Sequence, residues 1–120
     1  MKKILVIDED TDWLFAMECY LTREGYQVVP VRTYEDSFQT MELFKPGLIF
    51  LTIGSHRPDG LLLCRKITMH DAFGHLPIIL LSIDKTILQS YRDYGAAACL
   101  KKPLALSSLR EILHRHGKQQ

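Results

Sequence analysis

Five short apolar runs, separated by stretches of helical spacing, constrain this chain more than any other feature. Lys3 to Ile7 (KILVI) is continuous and rich in branched residues, with no alternation of polar positions. Such a run fits a strand buried on both faces, which is the condition of a parallel sheet covered by helices on each side. Similar runs recur at Gln27 to Val31 (QVVPV), Leu48 to Ile53 (LIFLTI), Pro77 to Ile83 (PIILLSI) and Ala97 to Lys101 (AACLK). Pro30 lacks an amide donor, which places the second run at a sheet edge or at its end.

Between the runs the period changes. Leu14, Met17 and Leu21 stand at i, i+3 and i+7, and Gly25 supplies a stop signal after the last turn. Thr33 and Asp36 have the spacing of a capping box, with Asp in place of Glu, ahead of Phe38, Met41 and Leu43 or Phe44. Leu63 and Ile67 predict a third helix from about Leu61 to His70. Ile87, Leu88, Tyr91 and Tyr94 form the stripe of a fourth, ending at Gly95. Leu106, Leu109, Ile112 and Leu113 mark a fifth, with Ser107 placed to cap it.

Alternating strands and helices predict an α/β fold: a doubly wound, five-stranded parallel sheet with five helices, since parallel neighbours need right-handed crossovers. With the strand order 2-1-3-4-5, the flavodoxin-like order, ligands bind beyond the C-terminal strand ends. The polar residues just past the runs are Asp8, Glu9, Thr52, Ser82 and Lys102, and that order would gather all five in one pocket.

At 120 residues the chain has the size of one domain, read here as 1–120 with no second domain. No apolar run approaches the ~20 residues that span a bilayer, and the five-residue run after Met-Lys-Lys is too short for a signal peptide. A cytoplasmic location and no membrane partner are therefore expected. Cys19, Cys64 and Cys99 are odd in number and form no CxxC pair, so they suggest neither a disulfide framework nor a zinc site. The net charge of +1 hides an asymmetry: six Lys/Arg against ten Asp/Glu in residues 1–60, and nine against four in residues 61–120. Asp8, Glu9, Asp10 and Asp12 concentrate the acidic excess. Asp10 and Asp12 read as cap and first-turn residues, where negative charge also favours the helix dipole. Arg110, His114, Arg115, His116 and Lys118 give the last helix a basic end, read as dipole complementarity rather than a nucleic-acid contact.

Four segments together, KILVIDED, KPGLIFLTIGSHRPDG, LPIILLSID and GAAACLKKPL, resemble the receiver domain of bacterial two-component response regulators over the whole chain. The resemblance implies an acidic pair for Mg²⁺ at Asp8 and Glu9, a hydroxyl position at Ser82, and a Lys-Pro at Lys102-Pro103 with a cis bond. At the phosphoacceptor position it places Thr52 where the family has Asp. An ionised Asp attacks a phosphoryl donor to give a labile acyl phosphate; a Thr hydroxyl needs a base and would give a stable ester. Without that third carboxylate the Mg²⁺ site, Asp8 and Glu9, is expected to be weak or lost, and no cofactor is required. Lys102 is expected to pair with Asp8 or Glu9.

Three further departures accompany Thr52. Ile83 stands where the family has a small residue and is expected to crowd the phosphoryl space. Cys99 replaces an aromatic, and His56-Arg57-Pro58 replaces the usual apolar loop; Asp59-Gly60 is expected to form a turn. The implied function is a non-enzymatic pseudo-receiver acting in two-component signalling through protein–protein contact. Its partner, a signalling protein, an output domain or a second copy, would meet the fourth helix, fifth strand and fifth helix, with Tyr91, Arg92, Tyr94, Cys99, Lys101 and Arg110 on that face. Two alternatives stand beside it: a receiver phosphorylated at Thr52, Glu9 or Asp10, and a flavodoxin-like cofactor binder. The latter needs a phosphate-cradling loop, whereas the chain has Asp-Glu-Asp-Thr-Asp after its first strand and no GxGxxG or GxxxxGK[ST].

Overall fold

The computed structural model describes residues 2–54 and 57–117, with the side chains of Arg57 and Pro58 left out of the description. Five strands, β1 (Lys3–Ile7), β2 (Gln27–Val31), β3 (Leu48–Thr52), β4 (Ile78–Ser82) and β5 (Ala98–Lys101), pair in parallel in the order β2-β1-β3-β4-β5. Five helices connect and follow them: α1 (Thr11–Arg23), α2 (Ser37–Phe44), α3 (Arg57–Thr68), α4 (Lys85–Ser90) and α5 (Leu106–His116). The predicted sheet and its order are those observed.

Strand periodicity divides the apolar runs between two cores. Ile4, Val6, Leu48, Phe50, Ile79 and Leu81 face α1 and α5, meeting Leu14, Met17, Leu21, Leu109, Ile112 and Leu113. Their alternates Leu5, Ile7, Ile49, Leu51, Ile78 and Leu80 face α2, α3 and α4, meeting Met41, Leu63, Cys64, Ile67 and Ile87. Because both faces are covered, both sets are apolar, and the runs therefore read as continuous. Each large side chain buried this way contributes about 1.5–3 kcal/mol relative to exposure. Pro30 lies on β2, which pairs with β1 at the sheet edge, so its missing donor leaves no ladder bond unmade there.

Helix boundaries depart from expectation in four places. Asp59-Gly60 does not form a turn but lies in the opening turn of α3, which starts at Arg57 and ends at Thr68. The fourth helix is α only through Ser90 and tightens into a 3-10 turn over Tyr91–Tyr94 before Gly95. Ser107 lies inside α5; Ala105 stands at the N-cap and has no side chain able to accept a bond there. Thr33 and Asp36 make half of the expected capping box, the Asp36 N–H donating to Thr33 Oγ1 at 3.4 Å, but Asp36 Oδ2 accepts from the Thr33 hydroxyl and Asp36 itself stands at the N-cap of α2. An Asp, one methylene shorter than Glu, reaches the hydroxyl rather than the backbone N–H that a capping box engages. On α2, Phe44 is half-buried while Leu43 is exposed, which decides between the two. At the end of α1, Gly25 has φ +97°, the left-handed conformation its stop signal requires.

Candidate functional site

The C-terminal ends of β1, β3 and β5 bring Asp8, Thr52 and Lys102 into direct contact. Asp8 follows β1 and is 4% exposed. Its backbone N–H donates to Val31 O at 3.0 Å, and its Oδ1 accepts the Asp10 N–H at 2.9 Å. Oδ2 accepts the Thr52 hydroxyl at 2.6 Å and Lys102 Nζ at 2.7 Å. The expected Lys102 pairing is thus made with Asp8. Both carboxylate oxygens are occupied, which is what a buried carboxylate requires, and the ammonium supplies a charge-assisted bond stronger than a neutral one.

Asp10 caps α1 as expected, accepting the N–H groups of Asp12 and Trp13 at 3.0 and 3.2 Å. That cap sets the start of the helix and so places Trp13, whose ring centre lies 4.0 Å from Lys102 Nζ. Lys102 in turn is positioned by its own N–H, which donates to Ser82 O at 3.1 Å. The Lys102-Pro103 bond is cis, as the resemblance implied.

Ser82 and Glu9 are not drawn into this contact. Ser82 is buried, and its Oγ accepts the Asp84 N–H at 3.0 Å, so the hydroxyl closes the turn leading into α4. Glu9 is exposed and lines a recess of about 230 Å³ with Asp8, Arg32, Thr33, Tyr34, Thr52, Gly54 and Asp59. A second recess of about 500 Å³ runs along Thr52, Ile53, Gly54, Ser82, Ile83, Asp84 and Lys102. Thr52 and Gly54 border both recesses, with Asp8 and Glu9 lining the smaller and Ser82 and Lys102 the larger.

Ile83 does not fill the phosphoryl space. It is 74% exposed at the edge of the larger recess, because β4 ends at Ser82, whose side chain points inward, and the next residue turns to solvent. Of the altered loop, His56 lies outside the described residues, as do the side chains of Arg57 and Pro58; Lys118, at the basic end, also lies outside them.

Tyr34 is a site residue that the sequence did not reveal. Its hydroxyl donates to the carbonyl oxygen of Thr52 at 2.9 Å, tying the β2–α2 connection to the end of β3. Burial pushes the phenol above its ordinary pKa, a backbone hydrogen bond at Gly54 opposes this, and the negative charges of Glu9, Asp8 and Asp59 add to the rise. Gly60 makes room for the ring: a Cβ there would stand 2.7 Å from the Tyr34 hydroxyl oxygen and 2.9 Å from Ile53 Cδ1. The only sequence signal was a tyrosine in a loop eighteen residues from Thr52, too weak to single out.

The donor set does not fit Mg²⁺. That ion takes six oxygens in near-octahedral geometry from one or two available carboxylates, waters and phosphate. Asp8 Oδ2 is already bonded to an ammonium and a hydroxyl, and Oδ1 to a backbone amide. Among the described residues no group of three or more His, Cys, Asp or Glu is disposed to hold a metal.

The face proposed for partners is partly apolar. Arg92, Lys101 and Arg110 are exposed, while Tyr91 and Tyr94 are half-buried against the α2–α4 core. The guanidinium of Arg92 lies 5.2 Å from the Tyr91 ring centre, and that of Arg65 lies 5.6 Å from the Tyr94 ring centre. Cys99 is half-buried like the two tyrosines. It packs against the same core, and burial pushes its thiol up to about 11. Among the described residues no helix is long and apolar enough to cross a membrane.

The sequence and the fold are similar to those of known proteins. The family model described as response regulator receiver domain matches residues 4–114. The transcriptional regulatory protein GltR of Pseudomonas aeruginosa is 34% identical over 116 residues, which are 95% of this chain and 47% of that protein. The transcriptional regulatory protein BasR of Escherichia coli is 31% identical over 123 residues, covering 98% of this chain and 54% of that protein. The chain therefore spans about half the length of these curated relatives. The signal receiver domain of a DNA binding response regulator from Colwellia psychrerythraea superposes with a TM-score of 0.89 over 99% of this chain and all of that one, at 19% identity, a likeness of fold. By sequence and by fold, the chain belongs to the receiver domain family of two-component response regulators.

Proposed function

We propose that this receiver works without phosphoryl transfer to the end of β3, presenting a fixed receiver surface to a protein partner. One observation supports the reading: the Thr52 hydroxyl, at the end of β3 where the resemblance puts the family's acceptor Asp, donates to the carboxylate that also binds Lys102. The polar groups of the site satisfy one another, and no ionised nucleophile stands at the strand end. A Thr hydroxyl could attack only after losing its proton to a base, and Asp8 already serves the Lys102 ammonium.

In this reading residues 1–120 act as one receiver, and the α4–β5–α5 face, with Tyr91, Arg92, Tyr94, Lys101 and Arg110, meets a signalling protein, an output domain or a second copy. Aromatic rings braced by guanidinium groups are the residue types that dominate protein interfaces. The test is to incubate the protein with acetyl phosphate and Mg²⁺ and weigh it intact. The mass is expected to remain unchanged. A gain of one phosphoryl group would overturn the reading, and its acid stability would separate a phosphothreonine at Thr52 from an acyl phosphate on Glu9 or Asp10.

A further inference from the structure

The ammonium of Lys102 is held from two sides. Asp8 Oδ2 lies 2.7 Å from Nζ, and the Trp13 ring centre lies 4.0 Å from it. Both walls come from one short stretch of chain. Asp8 Oδ1 fixes the Asp10 amide, and Asp10 in turn caps α1 at Asp12 and Trp13, so the carboxylate and the indole are held relative to each other through backbone. The lysine arrives from the opposite direction, its backbone N–H anchored on Ser82 O. A cation over an indole face is attracted by the ring quadrupole, and this attraction grows as water is excluded. The Lys102 side chain is only 19% exposed and that of Asp8 only 3%.

We propose that the Lys102 ammonium, clamped between Asp8 and Trp13, is the resident cation of the acidic pocket and keeps divalent ions out of it, with Trp13 as the positioning residue. This deepens the reading of a receiver that works without phosphoryl transfer. A divalent ion on Asp8 must either displace Nζ, losing the contact with the carboxylate and the indole together, or sit beside a like charge. The pocket thus carries its own counter-ion.

The experiment measures Mn²⁺ binding to the full chain by the electron paramagnetic resonance signal of the free ion, with no phosphoryl donor, so that its outcome is separate from the phosphorylation test. The unaltered protein is expected to show no saturable binding through low millimolar metal. Lys102→Met is expected to bind at least about 10-fold more tightly, the scale on which neighbours of a metal site alter affinity. Adding Asp8→Asn to Lys102→Met should abolish that gain, and Trp13→Leu should give a smaller gain that Trp13→Phe does not. A measurement on the unaltered protein needs no variant to fold: the ε-methylene protons of Lys102 should be shifted upfield by the Trp13 ring current. Unshifted ε protons, saturable sub-millimolar binding by the unaltered protein, or a Lys102→Met variant that binds no more tightly would each overturn the proposal.

Discussion

Replacing Thr52 by Asp is the sharpest perturbation of this site. The hydroxyl oxygen lies 2.6 Å from Asp8 Oδ2, so a carboxylate in its place puts two anionic oxygens about 3 Å apart. At an effective dielectric of about 20, two unit charges at that separation repel by about 5 kcal/mol. Lys102 lies 2.7 Å from Asp8 and can swing to share both carboxylates, which returns about half of that cost. The net expectation is a loss of about 2–3 kcal/mol without metal, or a fall of roughly 10 °C in Tm for a domain of this size. Moving Lys102 toward the new carboxylate also frees Asp8 for metal. A divalent ion at 100 times its Kd should then restore about 2.7 kcal/mol. Thermal melts of Thr52→Asp in EDTA and across a Mg²⁺ series measure both effects, and Thr52→Val is the control. Valine removes the hydroxyl donor to a buried oxygen, costing about 1–3 kcal/mol, and should give no Mg²⁺ response. If Thr52→Asp melts within about 2 °C of the unaltered protein in EDTA and is indifferent to Mg²⁺, the electrostatic account of the site is wrong.

Three other predictions test the surroundings. Gly60→Ala should destabilise despite the roughly 1 kcal/mol that alanine gains over glycine in a helix, because its Cβ would stand 2.7 Å from the Tyr34 hydroxyl oxygen. The loss should shrink in a Tyr34→Phe background, and a double-mutant cycle by denaturant unfolding that finds the two additive would refute the contact. Iodoacetamide at pH 8 should label exposed Cys19 well before Cys99 and Cys64, whose thiols burial raises to about 11 and about 12 respectively, as read by peptide mass. His116 titrates below its ordinary value of 6.5, through burial first and then the charges of Arg115 and Lys2. The unfolded chain therefore binds the proton more readily. This contribution to stability is complete above pH 6.5 and is lost as the pH falls through 6.5 toward the lowered value, a slope that His116→Gln should flatten in urea melts.

The strands were legible because burial on two faces leaves a continuous apolar run, whereas the order 2-1-3-4-5 was one common choice among those that right-handed crossovers allow. Leu14, Met17 and Leu21 were likewise readable, since a helix that buries one stripe must repeat at its own period. Asp59-Gly60 was not, because the same dipeptide suits a turn or the open first turn of a helix, and the choice lay with Tyr34 packing against Gly60. Ile83 could not be placed by its type, since a strand ending one residue earlier turns the side chain from the recess to solvent.

Sequence alone determined which residues collect beyond the strand ends, because the parallel order brings Asp8, Thr52, Ser82 and Lys102 to one edge wherever their side chains then point. It determined as well that no carboxylate stands at the end of β3. Only the tertiary structure decided how those residues are used. Lys102 is ninety-four residues from Asp8 and joins it rather than Glu9: Asp8 is buried with α1, capped by Asp10, placing Trp13 over the ammonium, while Glu9 is exposed. Composition and spacing identify charges, but a charge acquires its partner from the distances that folding imposes, and at 2.7 Å in a water-poor site that partner is the one that counts.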